Sequence, residues 1–393
     1  MNSRERMLTA IECGEPDHVP LSFMIFNALR MRSDGWKDFI ERSIELGIDP
    51  VVAFRTAAPS DGPEHSDAPG TPLHYPPDVT VREWRTRPAG GRYPVLHKEY
   101  VTPSGTLSVA VNRTDDWPYG DHVPFLNDYI EPRAVKHLVT SPDDLGALRH
   151  LLAEPTDEDL REYRTAWKEA KAFAAEKGLL LTAGWGVGAD ALAWIFGLTN
   201  AVMTAIDRPD FLSAILNVIS DWNRKRMEII LEAGVDLFIR RGWYEGTSFW
   251  SPQLFRKFLL PPLKSEAELA HQADAKFGYI MTVGANQFTD LLLESGVDVV
   301  IGIDGVQDHG MNFKGLKSKV RGKIALWGGV NGFLDIEEGS EEDIRRATAA
   351  ALDTLGPDGF ILSPVDNIRN PSEAVWQKVL TFIDRWKEAV RKI

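Results

Sequence analysis

Short apolar runs, each followed by an amphipathic stretch, recur along most of the chain. The runs are Val19–Phe26, Pro50–Arg55, Leu179–Trp185, Val235–Arg240, Phe277–Val283, Val297–Ile303, Lys323–Trp327 and Phe360–Leu362. Each is too short for a helix, and Gly or Pro residues bound several of them, so they read as strands. Segments with apolar residues at helical spacing lie between them, including Phe211 to Ala233, Gln253 to Ala273 and Glu341 to Leu355. A further helix opens the chain with Met7, Leu8 and Ile11, and another follows Ser372, an N-cap residue. Repeated strand and helix predict parallel βα units. Eight of them in one chain predict an α/β fold closed into a (β/α)8 TIM barrel. An open doubly wound sheet is the alternative, weakened because no Gly-x-Gly-x-x-Gly turn follows the first strand.

One region breaks the alternation. Between about 59 and 142, Pro and Gly are frequent and the periodicity falls to two, as in Thr80-Val-Arg-Glu-Trp-Arg85, Leu96-His-Lys-Glu-Tyr-Val101 and Thr106-Leu-Ser-Val-Ala-Val111. This stretch is expected to be an antiparallel hairpin insertion within a single domain covering residues 1–393.

Composition narrows the function. With 393 residues and 44% apolar content the chain can bury a large core. It lacks an apolar run of membrane-spanning length, and its first residues lack the apolar core of a signal peptide, so a soluble, cytoplasmic protein is expected. A net charge of −13 argues against a nucleic-acid partner. The one cysteine, Cys13, excludes an internal disulfide and any metal site needing two thiolates from one chain.

In a parallel barrel the chemistry sits at the C-terminal ends of the strands. The residues there are Asn27, Arg55, Trp185, Arg240, Arg241, Trp243, Tyr244, Glu245, Thr282, Asp304, Asp308, His309, Trp327, Asn331, Asp366, Asn367 and Arg369. Arg240-Arg-Gly-Trp-Tyr-Glu-Gly-Thr-Ser-Phe-Trp250 stands out, because adjacent arginines leaving a buried strand need a carboxylate or an anionic ligand. Either one holds a substrate acid group, or one pairs with Asp304 or Asp366. Glu245 is a candidate general acid or base, or an exposed loop residue. Trp243, Tyr244, Phe249 and Trp250 either stack on a flat ligand or anchor their loop. Asp366 can orient a hydroxyl, take a proton, bind a metal or cap the turn that follows it. Asp304 has the same status, and His309 after Asp308 reads either as a metal or acid/base residue or, as a lone histidine beside Gly310, as a loop residue. Trp327-Gly-Gly-Val-Asn331 suggests a close backbone approach to a ligand or a neighbouring strand. There is no nucleophile elbow, Walker loop or His-Glu-x-x-His motif.

Several segments together resemble the uroporphyrinogen decarboxylase superfamily, above all its corrinoid and coenzyme M methyltransferases. They are Arg4-Glu-Arg-Met-Leu-Thr-Ala-Ile11, Glu15-Pro-Asp-His-Val-Pro20, Glu99-Tyr-Val-Thr-Pro-Ser-Gly-Thr-Leu107, Ser251-Pro-Gln-Leu-Phe-Arg-Lys-Phe258 and Gly359-Phe-Ile-Leu-Ser-Pro364. The resemblance implies a barrel with a deep pocket at its C-terminal face, and a homodimer. In the methyltransferase branch it implies a zinc held by a His-x-Cys pair and a later Cys. Met281, Val283 and Asp366 stand at those positions, so zinc is not expected. The arginine-rich motif of the decarboxylase is replaced by the apolar wall Phe23–Leu29, so a polycarboxylate tetrapyrrole is not expected either.

The favoured reading is a methyltransferase that demethylates a small O- or N-methylated compound, aromatic ones included, and passes the methyl group to a cobalamin on a partner corrinoid protein. Glu245, Asp366 and Arg240 are its candidate catalytic residues. Arg55, Trp185, Arg241, Trp243, Tyr244, Met281, Asp304, Trp327, Asn331 and Asn367 are the candidate substrate-binding residues. The alternatives are a decarboxylase or lyase acting on a small acid or tetrapyrrole-like substrate, and a ligand-binding barrel without catalysis.

Overall fold

The apolar runs form parallel strands in the computed structural model, which describes residues 1–53, 64, 75–184 and 188–391. In chain order the strands are β1 (Val51–Ala53), β2 (Thr80–Thr86), β3 (Val95–Thr102), β4 (Gly105–Asn112), β5 (Ala134–Lys136), β6 (Leu180–Gly184), β7 (Leu237–Arg241), β8 (Lys276–Ile280), β9 (Val299–Ile303), β10 (Ala325–Asn331) and β11 (Phe360–Val365). Seven of them make one parallel sheet in the order β1-β6-β7-β8-β9-β10-β11. Strands β6, β9 and β11 are buried at every position, which is why they read as unbroken apolar runs.

The expected first strand, Val19–Phe26, survives only as a bridge, and this corrects the count of eight. Leu21 pairs with Leu362 of β11. Leu362 N donates to Pro20 O at 2.9 Å and Ser22 N to Leu362 O at 3.0 Å. On the other side Asp49 N, just before β1, donates to Leu21 O at 2.8 Å. The segment thus touches both edges of the sheet and closes it. Pro20 cannot donate, so the ladder extends no further back. Beyond Ser22 the chain leaves the sheet, with Met24 N held by the Ser363 hydroxyl at 3.0 Å and Phe23 stacked on Phe26. Strand β11 also runs past its expected end to Val365, with Pro364 beyond the last backbone bond to the first segment.

The antiparallel sheet β2-β3-β4-β5 falls within the stretch where a hairpin insertion is expected. Its core buries Leu96, Tyr100 and Leu107, and also the Lys98 side chain. A buried ammonium needs a counter-ion. Lys98 Nζ donates to both Glu64 oxygens at 2.6 and 2.7 Å and to Val123 O at 2.8 Å. Burial alone would raise Glu64, but His122, Lys98 and Tyr75 outweigh it and hold the carboxyl at about 2.

Inward-facing Leu180, Leu237, Val299, Ala325 and Ile361 form the barrel interior, and Met7, Ala10 and Ile11 of the helix Ser3–Ile11 pack against them. The helix is fixed by a capping box between Asn2 and Glu5 and by Arg4 on Asp236 at 2.7 Å. It plugs the N-terminal end of the barrel, so only the C-terminal end is open to a ligand. Met7 is fully buried in this plug. We expect Met7→Ala to lower the unfolding free energy by about 2–5 kcal/mol in chemical denaturation, the cost of a cavity in a packed core. A loss no larger than that of the half-buried Leu8→Ala would show that the helix does not seal the barrel.

Candidate functional site

At the open end a cavity of about 60 Å³ sinks into the barrel. Its walls come from the first segment and six successive strands: Phe23, Met24, Val51, Ala53, Thr182, Ala183, Gly184, Ile239, Ile280, Ile301 and Trp327. None of these carries a charge. The Trp327 indole N–H is already committed to Ser22 O at 2.8 Å. A second cavity of about 80 Å³ shares Phe23, Met24, Val51 and Ala53 and runs outward past Asn27, Ser43 and Arg30.

The charged residues sit around this cavity, paired with one another. Arg240 and Arg241 leave β7 side by side, both almost fully buried. Arg240 Nη2 donates to Glu245 Oε1 at 2.6 Å, and its Nε lies 2.9 Å from Glu266 Oε2. Arg241 Nη2 donates to Asp128 Oδ2 at 2.5 Å, and its Nε lies 2.7 Å from Asp190 Oδ2. The Arg241 guanidinium also lies 4.0 Å over the Trp243 ring. These partners replace the expected Asp304 or Asp366. The turn after β7 brings Glu245 back within five residues of Arg240, while Asp304 and Asp366 are engaged in turns of their own.

Glu245 has no exposed surface. Its Oε1 also accepts Ala189 N at 2.7 Å, at the N-terminus of the helix Gly188–Phe196, and its Oε2 accepts the Tyr279 hydroxyl. Gly188 makes this approach feasible, since a Cβ there would lie 1.9 Å from Arg240 Nη2 and 2.3 Å from Glu245 Oε1. Glu245 is therefore not the exposed loop glutamate that was its alternative. Tyr244 N donates to Asp190 Oδ1 at 2.9 Å, its hydroxyl to Asp128 Oδ1 at 3.1 Å, and Trp194 Nε1 donates to the same Asp128 oxygen at 2.7 Å. Asp128 lies in the segment between β4 and β5, so these bonds fasten the insertion to the barrel mouth. Burial pushes the Asp190 carboxyl up to about 7 against the pull of Arg241, and burial likewise raises Glu266.

A second polar chain crosses the exits of β9, β10 and β11. Buried Asp304 accepts Val306 N at 2.6 Å and the Asn331 amide at 2.6 Å. Asn331 Oδ1 accepts Phe333 N and Leu334 N, capping the helical turn Gly332–Glu337. Gln307 Nε2 donates to Asp366 Oδ2 at 3.2 Å. Asp366 is half-buried, has a positive φ of 66° and accepts Asn367 N at 2.7 Å. That is the turn geometry a short carboxylate side chain supports. Asp308 pins the loop by accepting Gly284 N at 2.8 Å, and His309 is exposed.

Among the candidate binding residues that the structure describes, only Trp327 lines the barrel cavity. Trp243 packs against the barrel interior and Tyr244 against the outer core. Asn367 is half-buried and its Oδ1 has no hydrogen-bond partner among the described residues. Arg55 and Trp185 lie outside the described residues. Met281 is buried in the outer core, and Cys13 lies at the opposite end of the barrel beside Gly359. A buried thioether and the Val283 side chain offer neither thiolate nor imidazole, so these positions do not fit zinc. No group of three or more His, Cys, Asp or Glu among the described residues could hold a metal.

Several residues escaped the sequence reading: Asp128, Asp190, Glu266 and Tyr279, and most of the cavity wall. Two signals were present. Asp190 is the one acid in the otherwise apolar Gly188–Phe196, and Thr182 the one hydroxyl in Leu180–Gly184. Asp128 gave none, because its partner is 113 positions away.

The family model for uroporphyrinogen decarboxylase (URO-D) matches residues 119–370, well over half of the chain. Among solved structures, a methyltransferase from Methanosarcina mazei is similar at a TM-score of 0.64 and 14% identity, covering 99% of both chains. A B12-independent methionine synthase from Shewanella sp. W3-18-1 reaches 0.38 at 11% identity, over 57% of this chain and 66% of that one. The 3-keto-D-glucoside 4-epimerase YcjR from E. coli reaches 0.36 at 12% identity, over 58% and 85%. No curated protein matches this sequence. At 14% identity the first of these likenesses speaks to fold alone.

Asp190 gives the network a pH signature. Its folded carboxyl titrates near 7, above the ordinary 3.8, so the folded state keeps a proton that the unfolded state has released. The resulting stability is full below about pH 4 and is lost as pH rises towards 7. Asp190→Asn mimics the protonated form and keeps the acceptor for Tyr244 N. The stability of the variant minus that of the parent is expected to climb between pH 4 and 7 and then level off. Parallel denaturation curves across that window would show that Asp190 is ionised in the fold.

Proposed function

We propose, because the chain belongs to the uroporphyrinogen decarboxylase (URO-D) family and its open end leads to an uncharged cavity, that it is an enzyme demethylating a small neutral compound and passing the methyl group to a cobalamin on a partner protein. The cavity carries this reading. A carboxylate placed in it would leave water without meeting a cation among the described wall residues, at a cost of several kcal/mol. The arginines that would have gripped an acid are both engaged with protein carboxylates. The decarboxylase reading loses its motive there, whereas a methyl compound needs only apolar surface.

In this account the partner's reduced corrinoid supplies the electron pair that takes up the methyl group, and the bond from methyl to its heteroatom breaks. This chain's residues bind the compound, strip it of water and aim its methyl group at the mouth. The departing oxygen needs a proton, because an alkoxide or phenolate leaves poorly. Asp366, half-buried at the exit of β11 beside Gln307, is assigned to deliver it. Glu245 is assigned a positioning role, since Arg240, Tyr279 and Ala189 N occupy both its oxygens.

The test is methyl transfer from a panel of methoxy compounds to cob(I)alamin, followed by the corrinoid's absorbance. The expected result is turnover with at least one compound, and a loss of about 10²–10⁴ in rate for Asp366→Asn with little change in KM. Absence of transfer across the panel, or carbon dioxide release from a small acid, would overturn the proposal.

A further inference from the structure

We infer that the Thr182 hydroxyl is the recognition group of the barrel cavity, and that it selects a neutral methyl ether over a methylammonium or a carboxylate. This rests on the methyl-transfer reading and narrows its substrate class. Along β6 the period of two places Leu180, Thr182 and Gly184 on one face, with Leu180 in the barrel interior and the other two on the cavity wall. Thr182 is 2% exposed. Its backbone is paired with Ala53 of β1 and Leu237 of β7, yet its hydroxyl makes no hydrogen bond among the described residues.

A hydroxyl that opens onto a cavity takes its partner from whatever fills the space before it, and a filler that offers none costs about 1–3 kcal/mol. Here the side chain faces a cavity that a ligand can fill. The other described residues of the wall offer no competing side-chain donor, because the Trp327 N–H already serves Ser22 O. Next to Thr182 the wall is stripped to a glycine: a Cβ on Gly184 would lie 2.3 Å from Ile239 O, so no side chain crowds the hydroxyl from that side.

One neutral donor in a hydrocarbon wall defines its ligand. An ether oxygen accepts one hydrogen bond and brings no charge. A methylammonium would need a carboxylate and a carboxylic acid salt a cation, and the described lining residues include neither. The same hydroxyl would lie against the oxygen on which negative charge develops as the methyl group leaves, where a fixed donor gains strength. The Phe23 and Trp327 rings favour an aryl body for the remainder of the ligand.

The experiment compares three probes by calorimetric titration of the full chain: methoxybenzene, its carbon isostere ethylbenzene, and phenyltrimethylammonium. The parent protein is expected to bind methoxybenzene about fivefold more tightly than ethylbenzene, the worth of one neutral hydrogen bond, and to ignore the cation. Thr182→Val keeps the shape and removes the hydroxyl. It should bind both neutral probes equally, at the parent's affinity for ethylbenzene, which also reports that the variant is folded. An ether preference that survives Thr182→Val, or tighter binding of the cation, overturns the assignment to Thr182. Failure of the parent to bind either neutral probe overturns the cavity reading itself.

Discussion

A guanidinium taken out of water without a carboxylate costs more than a fold can spare, and this chain buries two in succession at the end of one strand. Much of the open end follows from that demand. Arg240 draws in Glu245 from the loop after β7 and Glu266 from a helix. Arg241 draws in Asp190 from the helix after β6 and Asp128 from the insertion. Four segments far apart in sequence are pinned to one rim. Removing one partner from such a pair leaves a buried charge unmatched, typically a loss of 3–5 kcal/mol. The rim is a rigid frame, with its charges spent on the protein.

That spending decides what chemistry the mouth can offer. Charges already matched by protein groups do not attract an ionic ligand, and the described residues that line the cavity carry no charge. The proposed methyl transfer suits this setting, since a methyl compound would be held dry while its heteroatom is turned towards a donor. The polar chain through Asp304, Asn331, Gln307 and Asp366 borders the same open end. Its half-buried member, Asp366, reaches water, from which a proton can be renewed.

The strand pattern was legible because parallel strands are covered on both faces and so read as unbroken apolar runs. The exception, Val19–Phe26, has the composition of a strand, but Pro20 and the Phe23–Phe26 stack limit it to one bridge, which only tertiary contacts reveal. The importance of Arg240 and Arg241 was legible from the cost of burying them, while their partners were not. Spacing brings Glu245 near Arg240, but nothing in the sequence brings Asp128 to Arg241. The cavity was hidden for a different reason. Val51, Ile239, Ile280 and Ile301 are ordinary strand residues, and they become a binding wall only because the barrel leaves space above them.

The most direct measurement is a crystal of the protein soaked with a bromine-substituted methoxybenzene, with the bromine located by anomalous scattering. The account predicts a single strong site inside the barrel between Thr182 and Trp327, with Arg240 and Arg241 still on their carboxylates. A bromine bound elsewhere while the barrel interior stays empty, or a ligand that displaces Glu245 or Asp128 from its arginine, would contradict it.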